Sequence, residues 1–124
     1  MHYPNRNIVV VDDDAEMLLA IERLLNASGF MATSFPSAEA LLDSNTFTNA
    51  ACLVLDVHLP GLSGFDLYRR LKQAGHVIPV VFITAYDDQE SRDLANELGA
   101  FAFLNKPFQG KLLLTAINGA LEAA

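Results

Sequence analysis

The sequence is poor in basic residues and in cysteine, and both shortages restrict what the protein can do. Eight lysines and arginines stand against 15 aspartates and glutamates, which gives a formal net charge of −7 and a pI near 4.7. Nucleic acid and anionic membranes would repel such a surface at long range, so we expect direct contact with neither. The single cysteine, Cys52, excludes an internal disulfide, and its place at the start of an apolar run favours a buried, unreactive thiol.

Long hydrophobic runs are also missing. No apolar stretch approaches the roughly 20 residues that a membrane-spanning helix needs. Residues 1–7 likewise lack the apolar core of a secretion signal. We therefore expect a cytoplasmic location without a membrane partner. Internal repeats and low-complexity tracts are absent, and 124 residues with 52% hydrophobic content predict one domain, residues 1–124, with a sizeable core.

The chain does contain short apolar runs that stop near polar residues. Four such runs are residues 8–11 before Asp12, 52–55 before Asp56, 80–83 before Thr84, and 101–104 shortly before Lys106. Apolar runs of this length are typical of buried parallel strands. In open α/β sheets, functional sites lie at the carboxyl ends of the strands, so these polar residues should converge on one rim.

Segments with helical periodicity alternate with the runs. The predicted helices are residues 15–26, a helix capped by Ser37, residues 65–74 with Ser63 as cap, a helix from Asp87 to about Gly99, and residues 109–123. Residues 30–35 form a further predicted strand, and residues 44–50 a polar connection. Five strands alternating with five helices predict an α/β fold, with a doubly wound parallel sheet covered on both faces.

The acidic residues at the predicted rim point to a metal. Three carboxylates, those of Asp12, Asp13 and Asp56, would repel one another if the fold brought them together. A divalent cation would relieve that repulsion, and Mg²⁺ is the natural choice because it prefers oxygen ligands. Alternatively, Asp13 or Asp14 could serve only as the N-cap of the first helix.

One carboxylate of the three could then react with a phosphoryl group. The turn-rich loop 57–64 exposes the neighbourhood of Asp56, so Asp56 is the candidate nucleophile. Lys106 would offer a positive charge to the phosphoryl oxygens, and Thr84 would offer a hydrogen bond. A cis peptide bond before Pro107 would aim Lys106 inward.

Four motifs together resemble those of bacterial response-regulator receiver domains. They are Val11-Asp12-Asp13-Asp14, Leu55-Asp56-Val57-His58-Leu59-Pro60-Gly61-Leu62-Ser63-Gly64, Ile83-Thr84-Ala85 and Asn105-Lys106-Pro107-Phe108. The resemblance covers essentially the whole chain. It implies a flavodoxin-like sheet of order 2-1-3-4-5. It also implies that Asp56 receives a phosphoryl group from a sensor histidine kinase or a phosphotransfer protein of a two-component system.

The resemblance also assigns roles to individual residues. It implies that Mg²⁺ is held by the side chains of Asp12, Asp13 and Asp56 and by the backbone carbonyl of His58. It implies that Thr84 and Lys106 contact the phosphoryl group and that Thr84 and Phe103 form the switch. The face of helix 4, strand 5 and helix 5 would then control an output domain or partner. Catalysis would extend only to the protein's own phosphotransfer and dephosphorylation.

Several questions stay open at the level of sequence. His58 and Tyr86 flank the predicted site, where they either shield an acyl phosphate from water or represent ordinary surface variation. Phe101 and Phe103 share strand parity, which predicts either an outward patch for phosphorylation-dependent homodimerisation or core packing under the helices. The chain is expected to be either a stand-alone receiver or a piece of a longer regulator.

Two other functional classes compete with the receiver. A magnesium-dependent phosphohydrolase would also use Asp56 as nucleophile, but such enzymes usually carry a second acid two residues later, where this chain has His58. A phosphorylation-independent interaction module is disfavoured because all the acidic, hydroxyl and lysine positions of the rim are filled.

Overall fold

Five apolar strands form one parallel sheet in the computed structural model, which describes residues 5–123. The strands are β1 (Asn7–Val11), β2 (Met31–Phe35), β3 (Cys52–Asp56), β4 (Val80–Thr84) and β5 (Ala102–Asn105). They follow the order β2-β1-β3-β4-β5, which confirms the predicted flavodoxin-like arrangement. Every residue of β3 and β4 is buried, which explains why their sequences are almost continuously apolar.

Helices connect consecutive strands. They are α1 (Ala15–Ala27), α2 (Ala38–Ser44), α3 (Gly64–Gln73), α4 (Gln89–Glu97) and α5 (Gly110–Ala123). Side-chain caps begin four of them, as acceptors of backbone N–H groups, and these caps are Asp14, Ser37, Ser63 and Asp88. Asp14 therefore caps α1, which leaves Asp12 and Asp13 available for the rim. None of the helices in residues 5–123 is long and apolar enough to cross a membrane.

The predicted element map was wrong at four places. Residues 44–50 are not merely a polar connection, because Thr46–Asn49 form a 3-10 helix that buries Phe47. The Phe47 ring packs edge-on against His76, with centroids 5.0 Å apart, and hydrogen bonds of Ser44, Thr46 and Thr48 also hold this segment. The predicted strands over 30–35 and 101–104 begin one residue too early, since Phe30 and Phe101 lie before β2 and β5. The helix predicted over 65–74 starts at Gly64 instead.

Alternating strand residues feed two separate cores. Val9, Val11, Leu53 and Leu55 pack under α2, α3 and α4, whereas Ile8, Val10, Cys52 and Val54 pack under α1 and α5. Successive side chains of a strand point to opposite faces, so each buried strand supplies both cores. Helices thus pack on both faces of the sheet, and the strands that carry the site residues at its carboxyl-terminal edge are buried between two cores.

Candidate functional site

The strand register brings the predicted site residues to one rim. Val11 pairs with Leu55 across β1 and β3, and Thr84 pairs with Asn105 across β4 and β5. The residues that follow these pairs, Asp12, Asp56 and Lys106, therefore emerge at the same end of the sheet. The sequence-based expectation that these positions converge is met by the geometry.

Three carboxylates lie close together at this rim. Asp12, Asp13 and Asp56 each contribute one carboxylate oxygen to a group whose atoms all lie within 4.8 Å of one another. Asp12 is fully buried and Asp56 is 4% exposed, while Asp13 is open to solvent. Backbone amides orient the two buried groups: Asp14 N donates to Asp12 Oδ1 at 3.0 Å, and His58 N donates to Asp56 Oδ1 at 3.1 Å.

Lys106 bridges the two buried carboxylates. Its Nζ lies 2.7 Å from Asp12 Oδ2 and 3.2 Å from Asp56 Oδ2, and the Lys106–Pro107 peptide bond is cis. Burial disfavours the charged form of Lys106. The close ion pair with Asp12 and the charge of Asp56 outweigh that effect, so the pKa of Lys106 is raised. The lysine therefore keeps its positive charge at the rim.

One lysine does not balance the negative charge. Burial raises the pKa of Asp56 to about 6, and the nearby charge of Asp12 acts in the same direction. Lys106 and the N–H of His58 lower it only in part. A further positive charge would relieve this repulsion.

The donor set fits a magnesium ion. Among the described residues, Asp12 Oδ2 is a buried oxygen without a well-directed hydrogen bond, even though Lys106 Nζ is near it. A buried, under-satisfied carboxylate oxygen next to two other carboxylates is a suitable environment for a hard cation with oxygen ligands. The carboxylates of Asp12, Asp13 and Asp56 therefore fit the oxygen ligands that Mg²⁺ prefers.

Thr84 is at the rim, but its hydroxyl already has partners. The side chain is fully buried, and Oγ1 donates to Tyr86 O at 3.1 Å and accepts from Tyr86 N at 3.0 Å. The backbone of Thr84 also accepts a hydrogen bond from Lys106 N at 2.7 Å, which links the ends of β4 and β5. A contact between the Thr84 hydroxyl and a phosphoryl group would require the loop after β4 to release Tyr86.

His58 and Tyr86 touch each other beside the rim. Their rings meet edge to face, with centroids 5.1 Å apart, and both side chains are exposed. The sequence placed both residues near the site but did not predict this contact. His58 follows Asp56 by two residues, and Tyr86 follows Thr84 by two residues, on the neighbouring strands β3 and β4. This equal spacing is the sequence feature from which the contact could have been predicted.

The two phenylalanines near β5 behave differently. Phe103 is partly buried and packs against the core under α2, α3 and α4, so core packing applies to it. Phe101 is 45% exposed, and its ring lies against α5: a Cβ placed on Gly119 would be 2.8 Å from Phe101 Cζ. Phe101 is therefore the exposed ring, whereas Phe103 combines core packing with a partly exposed edge, and both rings line the groove between α4 and β5.

A polar cluster behind the rim had no sequence signal. Asp87 accepts hydrogen bonds from Arg92 of α4 and, at 2.9 Å, from Asn105 Nδ2 at the end of β5. The hydrogen bond from Arg92 holds the pKa of Asp87 below its usual range. These contacts join α4 to the end of β5, next to Lys106, and the contact of Asp87 with Asn105 spans 18 residues, which no local pattern predicts.

The chain matches known proteins over nearly its whole length. It matches the family model of the response regulator receiver domain over residues 8–118. It is 38% identical over 117 residues to response regulator protein TodT of Pseudomonas putida, covering 94% of this chain and 52% of that protein. It is 37% identical over 118 residues to transcriptional regulatory protein FixJ of Bradyrhizobium diazoefficiens, covering 95% of this chain and 58% of that protein.

Solved structures give the same result. The crystal structure of FixJ-N superposes with a TM-score of 0.86 at 30% identity and covers 98% of both chains. The structure of response regulator StyR superposes with a TM-score of 0.87 at 38% identity, covering 94% of this chain and 59% of the other. The chain spans little more than half the length of the curated relatives described above.

Proposed function

The chain belongs to the response-regulator receiver domains of two-component signalling systems, and from this premise we propose that Asp56 is its phosphoacceptor. The observation that carries the proposal is the position of Asp56. It is a buried carboxylate at the end of β3, with Lys106 Nζ 3.2 Å from one oxygen and two further carboxylates beside it. This arrangement supports Asp56 as the nucleophile, because Lys106 orients its carboxylate and can offset the negative charge of the acyl phosphate that forms.

The proposed reaction is a phosphoryl transfer. An oxygen of the ionised Asp56 attacks phosphorus of a phosphohistidine, the P–N bond breaks as a P–O bond forms, and the donor imidazole leaves and takes up a proton. Lys106 offsets the negative charge of the phosphoryl oxygens. Asp12, Asp13 and Asp56, with the backbone carbonyl of His58, would hold Mg²⁺. When bound, that ion supplies additional charge neutralisation.

The decisive test is intact-protein mass after incubation with acetyl phosphate. We expect the parent protein to gain one phosphoryl group when Mg²⁺ is present and none when Mg²⁺ is removed. Asp56→Asn should gain none, whereas Asp43→Asn, which changes an exposed carboxylate of α2, should behave like the parent. Mg²⁺ binding without either an adduct or phosphate release would contradict the proposal. Steady turnover of small phosphate esters would favour the phosphohydrolase instead.

We further propose that Thr84 and Phe103 transmit phosphorylation to the face formed by α4, β5 and α5. The Thr84 hydroxyl is occupied by Tyr86, so a new bond to the phosphoryl group would rearrange the loop that leads into α4. Phe103 lacks a hydroxyl, and packing alone would hold it inward. Phosphate then biases a two-state equilibrium and changes the affinity of this face for an output domain or partner.

A substitution at Thr84 tests this coupling. Thr84→Ala should still accept phosphate at Asp56, because the nucleophile and Lys106 are untouched. The change in amide hydrogen exchange that phosphorylation causes across α4 and β5 should be strongly reduced in the variant. A full response in phosphorylated Thr84→Ala would remove Thr84 from the switch.

The phosphoryl donor and location follow from the same premise. We propose a sensor histidine kinase or a phosphotransfer protein as the donor, acting in the cytoplasm on residues 1–124 as one receiver domain. Catalysis by this chain is confined to its own phosphorylation and dephosphorylation. We also propose that phosphorylation promotes pairing of two copies through the Phe101 region.

A further inference from the structure

We propose that Glu39 of α2 is a positioning residue for the Asp56 site. Its carboxylate holds the loop after β3, residues 57–63, from outside the rim. The loop carries His58, whose carbonyl is a proposed magnesium ligand. This inference rests on the proposed function of Asp56 and adds to it a residue that touches neither the phosphoryl group nor the metal.

The contact between Glu39 and the loop is specific. Glu39 Oε2 accepts a hydrogen bond from Leu62 N at 3.0 Å, across 23 residues of sequence. Gly61 lies directly beneath the same oxygen: a Cβ placed on Gly61 would be 2.7 Å from Glu39 Oε2. Gly61 also has φ of +78°, a conformation that strongly favours glycine. The backbone thus approaches the carboxylate closely because position 61 has no side chain.

The chemistry of the contact agrees with its geometry. The N–H of Leu62 is the largest of the influences that lower the pKa of Glu39, so the ionised acceptor is favoured. A hydrogen bond from a backbone N–H to a charged carboxylate is stronger than one between neutral groups. Glu39 is itself exposed, which limits the strength of the bond but leaves its direction intact.

Glu39 supplies the hydrogen bond nearest the apex of the loop. At the base of the loop, next to Asp56, Val57 N donates to Ile83 O at 2.9 Å and His58 N donates to Asp56 Oδ1 at 3.1 Å. Gly64 N donates to Val57 O at 3.1 Å, and Gly64 is packed so tightly that a Cβ would lie 2.2 Å from Asp56 O. Between base and apex the loop is also held by the side chains of Leu59 and Leu62, which pack on the core under α2, α3 and α4.

Loss of the Glu39 contact would therefore loosen the apex of the loop and leave its base in place. The His58 carbonyl lies between the apex and the base, so its position would become less well defined. Groups that orient metal ligands from outside the coordination sphere commonly affect metal affinity in this way. The nucleophile, Lys106 and the fold would be unchanged.

The experiment compares Glu39→Ala, Glu39→Gln and the matched control Asp43→Ala, which removes another exposed carboxylate from the same helix. Two quantities are measured in the full chain. They are the dissociation constant of Mg²⁺ by calorimetry and the exchange rate of the Leu62 amide by NMR without metal. We expect Glu39→Ala to raise the dissociation constant about three- to fivefold and to accelerate Leu62 exchange by a similar factor. Glu39→Gln keeps an acceptor oxygen, so it should recover part of both effects.

Each outcome has a defined meaning. If Glu39→Ala matches Asp43→Ala in both measurements, the positioning role is overturned. It is also overturned if exchange accelerates equally at the β3 amides, because the variant would then only weaken the fold. Phosphorylation of the parent by acetyl phosphate separates the two proposals. A phosphorylated parent with unaltered Glu39 variants refutes the role of Glu39 alone, whereas a parent that neither binds Mg²⁺ nor accepts phosphate refutes both.

Discussion

At the residue scale, the chemistry of the rim depends on an unequal balance of charges around Asp56. Burial and Asp12 raise its pKa to about 6, and Lys106 compensates only in part. The proposed Mg²⁺ would bind the ionised carboxylate, so protons would compete with the metal below this pKa. We expect the affinity for Mg²⁺ to be nearly constant above pH 7 and to weaken between pH 6 and 5 by up to about tenfold. Calorimetric titration of Mg²⁺ at several pH values between 5 and 8 measures this dependence.

The same shift has a consequence for the metal-free protein. The pKa of Asp56 in the folded state lies above its ordinary value of 3.8, so the folded state holds the proton more tightly than the unfolded state does. The stabilisation from the neutral form is complete below about pH 4 and is lost as the pH rises through about 6. Asp56→Asn should flatten this dependence in urea denaturation without Mg²⁺. An unchanged dependence in that variant would mean that other groups cause it.

Cys52 provides a second residue-scale prediction. Burial raises the pKa of this thiol to about 12, and the side chain is inaccessible at the first residue of β3. Thiolate is the reactive form, so the folded protein should not react with a thiol reagent such as dithionitrobenzoate at pH 8. One thiol per chain should react after unfolding in guanidinium. Rapid labelling of the folded protein would show that β3 opens far more readily than its burial suggests.

At the element scale, the start of α3 is constrained by the carbonyl of Asp56. A Cβ on Gly64 would lie 2.2 Å from Asp56 O, whereas a Cβ on Gly110, the first residue of α5, would meet only the flexible side chain of Leu24 at 3.1 Å. Gly64→Ala should therefore destabilise the protein by about 1–3 kcal/mol, and Gly110→Ala by less than about 0.5 kcal/mol. Urea denaturation measures both. Equal losses would show that the backbone at Gly64 relaxes without cost.

The elements also show what the sequence could and could not predict. The buried strands were predictable because each is a short apolar run that ends at a polar residue, and the rim positions Asp12, Asp56, Thr84 and Lys106 followed from those endings. The 3-10 helix was missed because it is four residues long and its sequence has no repeating pattern, only one buried aromatic residue, Phe47. Contacts between distant segments, such as Glu39 with Leu62, leave no periodic trace in one sequence. Such contacts become visible only in the folded structure.

At the scale of the whole molecule, the two cores give the sheet two helical faces and leave two edge strands, β2 and β5. The rim lies at one end of the sheet, and the Phe101 side chain lies at the opposite end of β5, against α5. Asp87 connects α4 with Asn105 at the rim end of the same strand. Strand β5 and the Asp87 contacts therefore form a continuous connection between the rim and the α4–β5–α5 face.

The last prediction concerns pairing of two copies through this face. Phe101 is 45% exposed and borders a groove of about 450 Å³ between α4 and β5, so an isologous contact would bury it. Phosphorylation, or beryllofluoride as its analogue, should shift the protein from monomer to dimer in analytical ultracentrifugation.

Phe101→Ala should weaken that dimer by about tenfold or more, because exposed aromatic anchors often dominate interfaces. Val77→Ala, which truncates an 88% exposed side chain before β4, is the matched control and should leave the dimer unchanged. A protein that carries phosphate on Asp56 and stays monomeric would contradict homodimerisation, and a dimer insensitive to Phe101→Ala would locate the interface on another face.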